Sequence, residues 1–415
     1  MPSQLELEYY PKIPSSVIQK IIARINENKS HWGKPFFMDV YSHVDITEIK
    51  KVCDPILKNS PKNLIVLGTG GSIQTMLALE GLCTCNFIPV VSSRPRELRR
   101  ILQTCAPSES IVIPISRGGE TLDVNSTIDV FSSYAMIGVS SQGPMYEYLQ
   151  KKSIPILPVP DLSGRFAASI STVALVPAYL AGINIEEFLR QLDSTYSIYK
   201  NPNYFEQNIA LQYASYLFLH YNQGYRNCFL MPYSSYLEGA AGLFVQEISE
   251  SSGKQDKGMM GTKQDAPLCQ HSVLEFLLGG SKGHTLPFLW TTRSEPHDIR
   301  IQNSEFGLIN QSALQIINYQ TDATFQALLS HQVSSALLTL LDFNISSIAQ
   351  LIAFIQTTIY YFCLLLDVNW ENNPSVKTGK KICNSAIQSS LTIEQRKAQR
   401  ENTASMHFSR NKLNF

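Results

Sequence analysis

What the chain lacks narrows its setting first. Its eight cysteines (Cys53, Cys83, Cys85, Cys105, Cys228, Cys269, Cys363 and Cys383) form no CxxC pair and no disulfide-rich spacing. The start, Met-Pro-Ser-Gln-Leu-Glu-Leu-Glu, has neither the basic nor the apolar segment of a signal peptide. Together these predict a cytoplasmic protein with free thiols. There is no charge excess, because Lys+Arg and Asp+Glu both number 34, so neither nucleic acid nor an acidic membrane is expected as a partner. Short-period repeats and low-complexity segments are absent. One long uncharged run, Phe343 to Leu366, has the length of a membrane span, but Asn344, Ser346, Ser347, Gln350, Gln356, Thr357 and Thr358 interrupt it. Glutamine in hydrocarbon is costly, so this run predicts a buried helix or one at a subunit interface.

What is present is an alternating pattern. At 415 residues the chain has room for two or three domains with real cores. Residues 1–55 predict a helical arm, periodic over Val17 to Ile25. The apolar run Asn63 to Gly68 has the character of a buried parallel strand, and it enters Gly68-Thr-Gly-Gly-Ser72 and a helical pattern from Ile73 to Leu82. Strand, Gly-rich turn and helix present backbone N–H groups to an anion. Alone, such a loop fits a dinucleotide, a phosphate or a tight turn.

Further strands follow in βα order at 86–91, 110–116, 135–140 and 154–159. This spacing predicts a doubly wound parallel sheet with ligands at the carboxyl ends of its strands. The third strand ends in Ser116-Arg-Gly-Gly-Glu-Thr-Leu-Asp123, a second turn rich in small and hydroxyl residues. Two such turns in one sheet favour a phosphate cradle. No acidic residue follows the first loop at ribose-binding spacing, which argues against a dinucleotide. After Ser163-Gly-Arg-Phe166 come apolar helical stretches, then 193–205 as the expected linker. A second αβ set follows, with strands at 227–232 and 284–290 and several helices from Ser312 onward. The polar tail from about Leu391 is expected to be loosely held.

Between those later strands lies Leu243-Phe-Val-Gln-Glu-Ile-Ser-Glu-Ser-Ser-Gly-Lys254, helical in spacing until Ser-Ser-Gly, with Gly253 at a position suited to a left-handed turn. Gln246 and Glu250 are four apart and share a face. A carboxylate beside an amide near a helix end suits a general base, although an ordinary solvated Glu has the same pattern.

Six motifs in order then resemble the glucose-6-phosphate isomerase family, built from two sugar-isomerase (SIS) domains. They are Gly68–Ser72, Ser116–Asp123, Ser163-Gly-Arg-Phe166 with Ala178–Gly182, Gln246-x-x-x-Glu250-Ser-x-Gly253-Lys254, Gln270-His-Ser272, and Pro374-x-Val376-x-x-Gly379-Lys380. The resemblance spans about Asn63 to Lys381. It implies an α/β protein with two doubly wound SIS-type αβα sandwich domains on parallel sheets: a helical arm 1–55, a first SIS domain 56–195, a second 196–390 and a tail 391–415. It further implies reversible interconversion of glucose 6-phosphate and fructose 6-phosphate, in glycolysis and gluconeogenesis, without metal or organic cofactor.

By the same resemblance Glu250 is the base moving a proton between C2 and C1 through a cis-enediol. His271 and Lys380 serve ring opening, and Arg165 stabilises the enediolate. Gln246 orients the substrate, and Gly71, Ser72, Ser116 and Thr121 hold the phosphate. The family is usually a homodimer whose histidine comes from the neighbouring subunit, so His271 is expected to act in trans.

The chain departs from the family where Gly118 replaces a hydroxyl residue and Glu120 a threonine. Glu120 must turn away if a phosphate is to bind. Lys377 replaces an acidic residue, and 369–374 is a degraded form of the family's Asn-Pro-Phe-Asp-Gln stretch. The alternatives are another SIS-domain sugar-phosphate isomerase or a non-catalytic sugar-phosphate binding paralogue.

Overall fold

The computed structural model describes residues 3–389 together with Gln395, Lys397 and Arg400. The expectation of a loosely held tail from about Leu391 falls almost wholly outside these residues. The chain divides into a large unit, Met1–Glu371, and a second unit from Asn372 that contains the helix Val376–Gln388.

The first structured residues depart from expectation. Leu5–Tyr10 form a strand, β1, with Leu5 and Tyr9 buried. The alternation Leu5-Glu-Leu-Glu-Tyr-Tyr10 is a period-two pattern with apolar residues on one side, as a strand that buries one face requires. The arm becomes helical only at Ser15–Asn28 and Ile46–Leu57. Asp45 caps the latter, its carboxylate accepting from the N–H groups of Thr47 and Glu48.

The first sheet is built from β2 (Asn63–Leu67), β3 (Asn86–Val90), β4 (Ser110–Pro114) and β5 (Ala135–Met136), in the order β3-β2-β4-β5 and all parallel. β6 (Gly138–Val139) and β7 (Ile156–Leu157) continue it, with a parallel bridge from Ile115 to Val139. Every residue of β2 and β4 is buried, which is why each reads as a continuous apolar run. β7 is shorter than the predicted 154–159 because Pro155 and Pro158 bracket it and cannot donate to a ladder. From β2 the chain moves to β3 on one side and then to β4 on the other. The crevice above β2 and β4 is therefore a topological switch point.

The second sheet holds β8 (Asn227–Pro232), β9 (Met260–Lys263), β10 (Thr285–Thr292) and β13 (Ser335–Leu340), with β1 antiparallel on its edge, in the order β1-β13-β10-β8-β9. A small ribbon, β11 (Arg300–Ile301) with β12 (Gln311–Ser312), lies between β10 and β13 in sequence. β13 was hidden among the helices expected after Ser312. It follows the helix Ala313–Ser330, which opens with a Ser312/Gln315 capping box.

The expected linker at 193–205 is mostly helix: Ile185–Tyr199 runs through it, with Tyr196 and Tyr199 buried. Its polar residues misled, because Asp193, Ser194 and Ser197 alternate with the aromatic residues that pack inward. The uncharged run is the helix Ile345–Leu366, in which every residue from Ser347 to Leu366 is buried. It is long and apolar enough to cross a membrane, yet it is enclosed by the fold. Parallel sheets with helices between their strands give the α/β class read from the pattern.

Candidate active site

The two Gly-rich loops leave neighbouring parallel strands, β2 and β4, at their carboxyl ends, with Ile115 N–H donating to the Leu67 carbonyl at 2.8 Å. Gly70 takes a φ of +57°, which glycine tolerates without strain. At Gly71 the need for glycine is steric: an added Cβ would lie 2.9 Å from the Arg165 backbone nitrogen and 2.9 Å from the Gly164 carbonyl carbon. The first loop is thus seated on the turn that carries Arg165. Ser72 is half-buried beside it.

In the second loop the Ser116 and Thr121 hydroxyls meet at 2.8 Å. Thr121 precedes the helix Leu122–Ile128 without capping it, so its hydroxyl is not spent on its own helix. The loop is tied down from several sides. Ser140 Oγ donates to the Ser116 carbonyl at 2.7 Å, and Asn125 Nδ2 to the Gly119 carbonyl at 2.9 Å. Gly119, at φ +64°, leaves no room for a Cβ, which would fall 2.3 Å from the Gln142 carbonyl oxygen. Glu120 is exposed, and Arg117 reaches out to Asp161 at 2.7 Å.

Arg165 sits on a single helical turn, Gly164–Ala167, and is 4% exposed. Its guanidinium donates through Nη1 to Glu250 Oε2 at 3.0 Å, through Nε to Ser251 Oγ at 3.3 Å, and through Nη2 to the carbonyls of Trp370 at 3.3 Å and Glu371 at 2.8 Å. Glu250 comes from the helix Glu238–Ser252 and its side chain is 27% exposed. One turn earlier, Gln246 Nε2 donates to Glu250 Oε1 at 3.1 Å, as the four-residue spacing predicted. Gln246 Oε1 is buried with no hydrogen-bond partner among the described residues. A carboxylate, an amide and a guanidinium thus meet beneath the first Gly-rich loop, with Glu250 bonded to both of the others. The helix ends at Gly253 as predicted, but with φ −73° rather than a left-handed turn. Glycine is needed there for space: a Cβ would meet the Ser249 carbonyl oxygen at 2.6 Å.

Several residues of this site were not assigned from sequence. Lys254 donates to the Ser251 carbonyl at 2.7 Å and to that of Asn369, and burial lowers its ammonium to about 8. Ser163 Oγ donates to the Glu371 carbonyl at 3.0 Å, so the strap 369–371 is gripped by Lys254, Arg165 and Ser163 together. Glu247 is wholly buried behind Arg165, and burial pushes its carboxyl up to about 8. Its partner is Gln356, at 3.3 Å from the long helix. Lys254 stood in a recognised motif, and Gln356 stood out as a polar break in an apolar run. Nothing in the sequence set Glu247 apart from the other acids of its helix.

Of the remaining predicted residues, His271 is exposed on the helix Gln270–Gly279, whose first residue is anchored by Gln270 Nε2 donating to Tyr233 Oη and Thr324 Oγ1, both at 2.6 Å. Apolar side chains are exposed around it in sequence, Leu268 at 74% and Phe276 at 56%. Lys380 is exposed on the helix Val376–Gln388 of the second unit. Among the described residues, no group of three or more His, Cys, Asp or Glu side chains could hold a metal ion, and all eight cysteines are unpaired.

No family model matches the chain. It is 25% identical over 339 residues to a glucose-6-phosphate isomerase of Methanocaldococcus jannaschii, covering 78% of this chain and 84% of that one. It is 23% identical over 370 residues to a glucose-6-phosphate isomerase of Mesomycoplasma hyopneumoniae, covering 81% and 85%. In fold it is similar to a hypothetical protein of Thermus thermophilus, with a TM-score of 0.81 at 20% identity over 92% of this chain and all of that one. It is also similar to a glucose-6-phosphate isomerase of Chlamydia trachomatis, with a TM-score of 0.77 at 17% identity over 97% and 92%. In sequence over most of its length, the chain is a relative of the glucose-6-phosphate isomerases, as its motifs implied.

Proposed function

We propose that the protein is a glucose-6-phosphate isomerase, interconverting D-glucose 6-phosphate and D-fructose 6-phosphate in the cytoplasm as a step of glycolysis and gluconeogenesis. The observation that carries this is the contact of Arg165, Glu250 and Gln246 under the Gly71 loop. The phosphate would sit in the crevice above β2 and β4, held by Gly71, Ser72, Ser116, Thr121 and the backbone N–H groups around them. The Glu250 carboxylate would take the proton from C2 of the open-chain aldose and return it to C1, while a proton leaves the O2 hydroxyl and one is gained at O1, giving the ketose. Substrate and product are isomers, so no external electron donor or acceptor enters. Arg165 would meet the charge that develops on the enediolate oxygen, and a buried guanidinium already held in place needs little reorganisation to do so. Gln246 Oε1, which lacks a partner among the described residues, would accept a substrate hydroxyl.

Ring opening is assigned to His271 with Lys380, and the protein to a homodimer in which His271 serves the neighbouring subunit. The exposure of His271, Leu268 and Phe276 supports this, because an apolar face of this kind suits a covering copy of the same chain. The two sheets would be the cores of the two SIS domains, 56–195 and 196–390. The test is turnover of fructose 6-phosphate by the purified protein, read as NADPH formation through a glucose-6-phosphate dehydrogenase couple. Turnover is expected. Its absence, with the protein folded and dimeric, would overturn the reading and turn attention to other sugar phosphates.

A further inference from the structure

Glu247 has no part in the chemistry proposed above, yet it is the most deeply buried acid beside the site, at 0% exposure. One of its oxygens accepts from Gln356 Nε2 at 3.3 Å, and the other, Oε2, has no hydrogen-bond partner among the described residues. An ionised carboxylate buried with a single long hydrogen bond is strongly disfavoured, whereas a neutral carboxyl is tolerated. Glutamine would fill the same space, keep the bond to Gln356 and avoid the penalty of burying an acid, so packing alone does not call for a Glu here.

Gln356 is the hub of what Glu247 touches. Its Nε2 also faces the backbone carbonyls of Arg165 at 3.4 Å and Phe166 at 3.3 Å. Its Oε1 accepts from Tyr196 Oη at 2.5 Å and from Ser169 Oγ at 3.1 Å. The amide therefore joins the helices Glu238–Ser252, Ile185–Tyr199 and Ile345–Leu366 to the turn that presents Arg165. We propose that Glu247 is a positioning residue for the isomerase reaction: it stands protonated and, through Gln356, fixes the backbone of Arg165 and Phe166, leaving the Arg165 charge to Glu250 and the substrate. This inference rests on the isomerase reading above.

The groups facing Glu247 are consistent with that state. Arg165 lies on the turn and Glu250 on Glu247's own helix; the first favours ionisation and the second opposes it. From the neighbouring helices come Tyr196, held well above its usual range by burial, and Cys363, pushed up to about 12, so neither carries charge near neutrality. Burial raises the Glu247 carboxyl from 4.5 to about 8. A folded-state value above the unfolded one means that the contribution to stability is full below about 4.5 and is lost as pH rises through about 8. Above that range Arg165 would be shared between two carboxylates, and its help to the enediolate would weaken.

The test compares wild type, Glu247→Leu and Glu247→Gln. The Leu variant keeps the site buried but removes the carboxyl acceptor of Gln356, leaving the amide only the Arg165 and Phe166 carbonyls, and kcat is expected to fall about tenfold with KM changed less than about twofold. The Gln variant restores the acceptor and should return kcat at pH 7 to within about twofold of wild type. Independently of activity, the infrared spectrum of wild type minus Glu247→Gln should contain a protonated-carboxyl band that titrates away near pH 8. A Leu variant as active as wild type, or a difference spectrum without that band at pH 7, would overturn the proposal. A wild type that shows the band but does not turn over fructose 6-phosphate would overturn the isomerase reading instead.

Discussion

Arg165 and His271 are assigned to one reaction from opposite surroundings. Arg165 is 4% exposed, and its three guanidinium nitrogens are spent on Glu250, Ser251 and the strap 370–371. His271 is exposed, on a helix held at its start by Gln270. The residues proposed for proton transfer are therefore held together within one chain, with the Arg165 rotamer locked by several partners at once. The ring-opening half has no such enclosure in one chain. The difference teaches that variants of the two halves should behave differently on mixing, because only an exposed group can be supplied to a neighbour.

The largest effect is expected from Glu250→Gln. The amide keeps the shape and a contact with Arg165 but cannot accept the C2 proton, so kcat should fall by about a thousandfold or more with little change in KM. Steady-state kinetics with fructose 6-phosphate would read it, and wild-type-like turnover would remove Glu250 from the mechanism. His271→Ala should cost about a hundredfold in kcat with the glucopyranose form of the substrate. If His271 serves a neighbouring subunit, mixing Glu250→Gln with His271→Ala and exchanging subunits should restore about a quarter of wild-type activity, because each mixed dimer regains one intact site. A mixture as inactive as its parts would place His271 in its own subunit's site. Arg165→Lys tests the enclosed half. Lysine keeps the charge but cannot bond Glu250 and the strap carbonyls at once, so kcat should drop by about tenfold to a hundredfold, and no mixing partner defective in the same half should restore it.

The same contrast divides what was legible in the sequence. Gln246 and Glu250 could be paired because they lie four apart on one helix, and the two Gly-rich loops could be placed together because each follows an apolar strand. The grip of Arg165 on the Trp370 and Glu371 carbonyls joins residues about 200 positions apart, and no local pattern marks it. Gln356 and Glu247 are of the same kind: an amide inside an apolar run and an acid on a helix with other acids become a network only when three helices meet. β1 shows the converse. Its alternation was visible, but a six-residue strand beside a helical arm carries little weight until β13 is there to pair with it.

The smallest expected effect comes where the first loop meets the turn that carries Arg165. Gly71→Ala adds one methyl carbon in that loop, 2.9 Å from both the Arg165 nitrogen and the Gly164 carbonyl carbon. Both are backbone atoms and cannot swing aside, so either the loop or the Arg165 turn must shift by several tenths of an ångström. The expected loss of stability is about 1–3 kcal/mol, as for other forced insertions of a carbon into tight packing. Activity should fall by about tenfold, divided according to which side yields. If the loop moves, phosphate contacts loosen and KM rises with kcat nearly kept. If the turn moves, Arg165 is carried off Glu250 and kcat falls with KM nearly kept. The hydrogen bonds of Gln356, Glu250 and Glu371 to the turn favour the first division, since the loop is held by fewer bonds than the turn. A kcat-dominated loss would mean that the guanidinium is less firmly placed than its partners suggest.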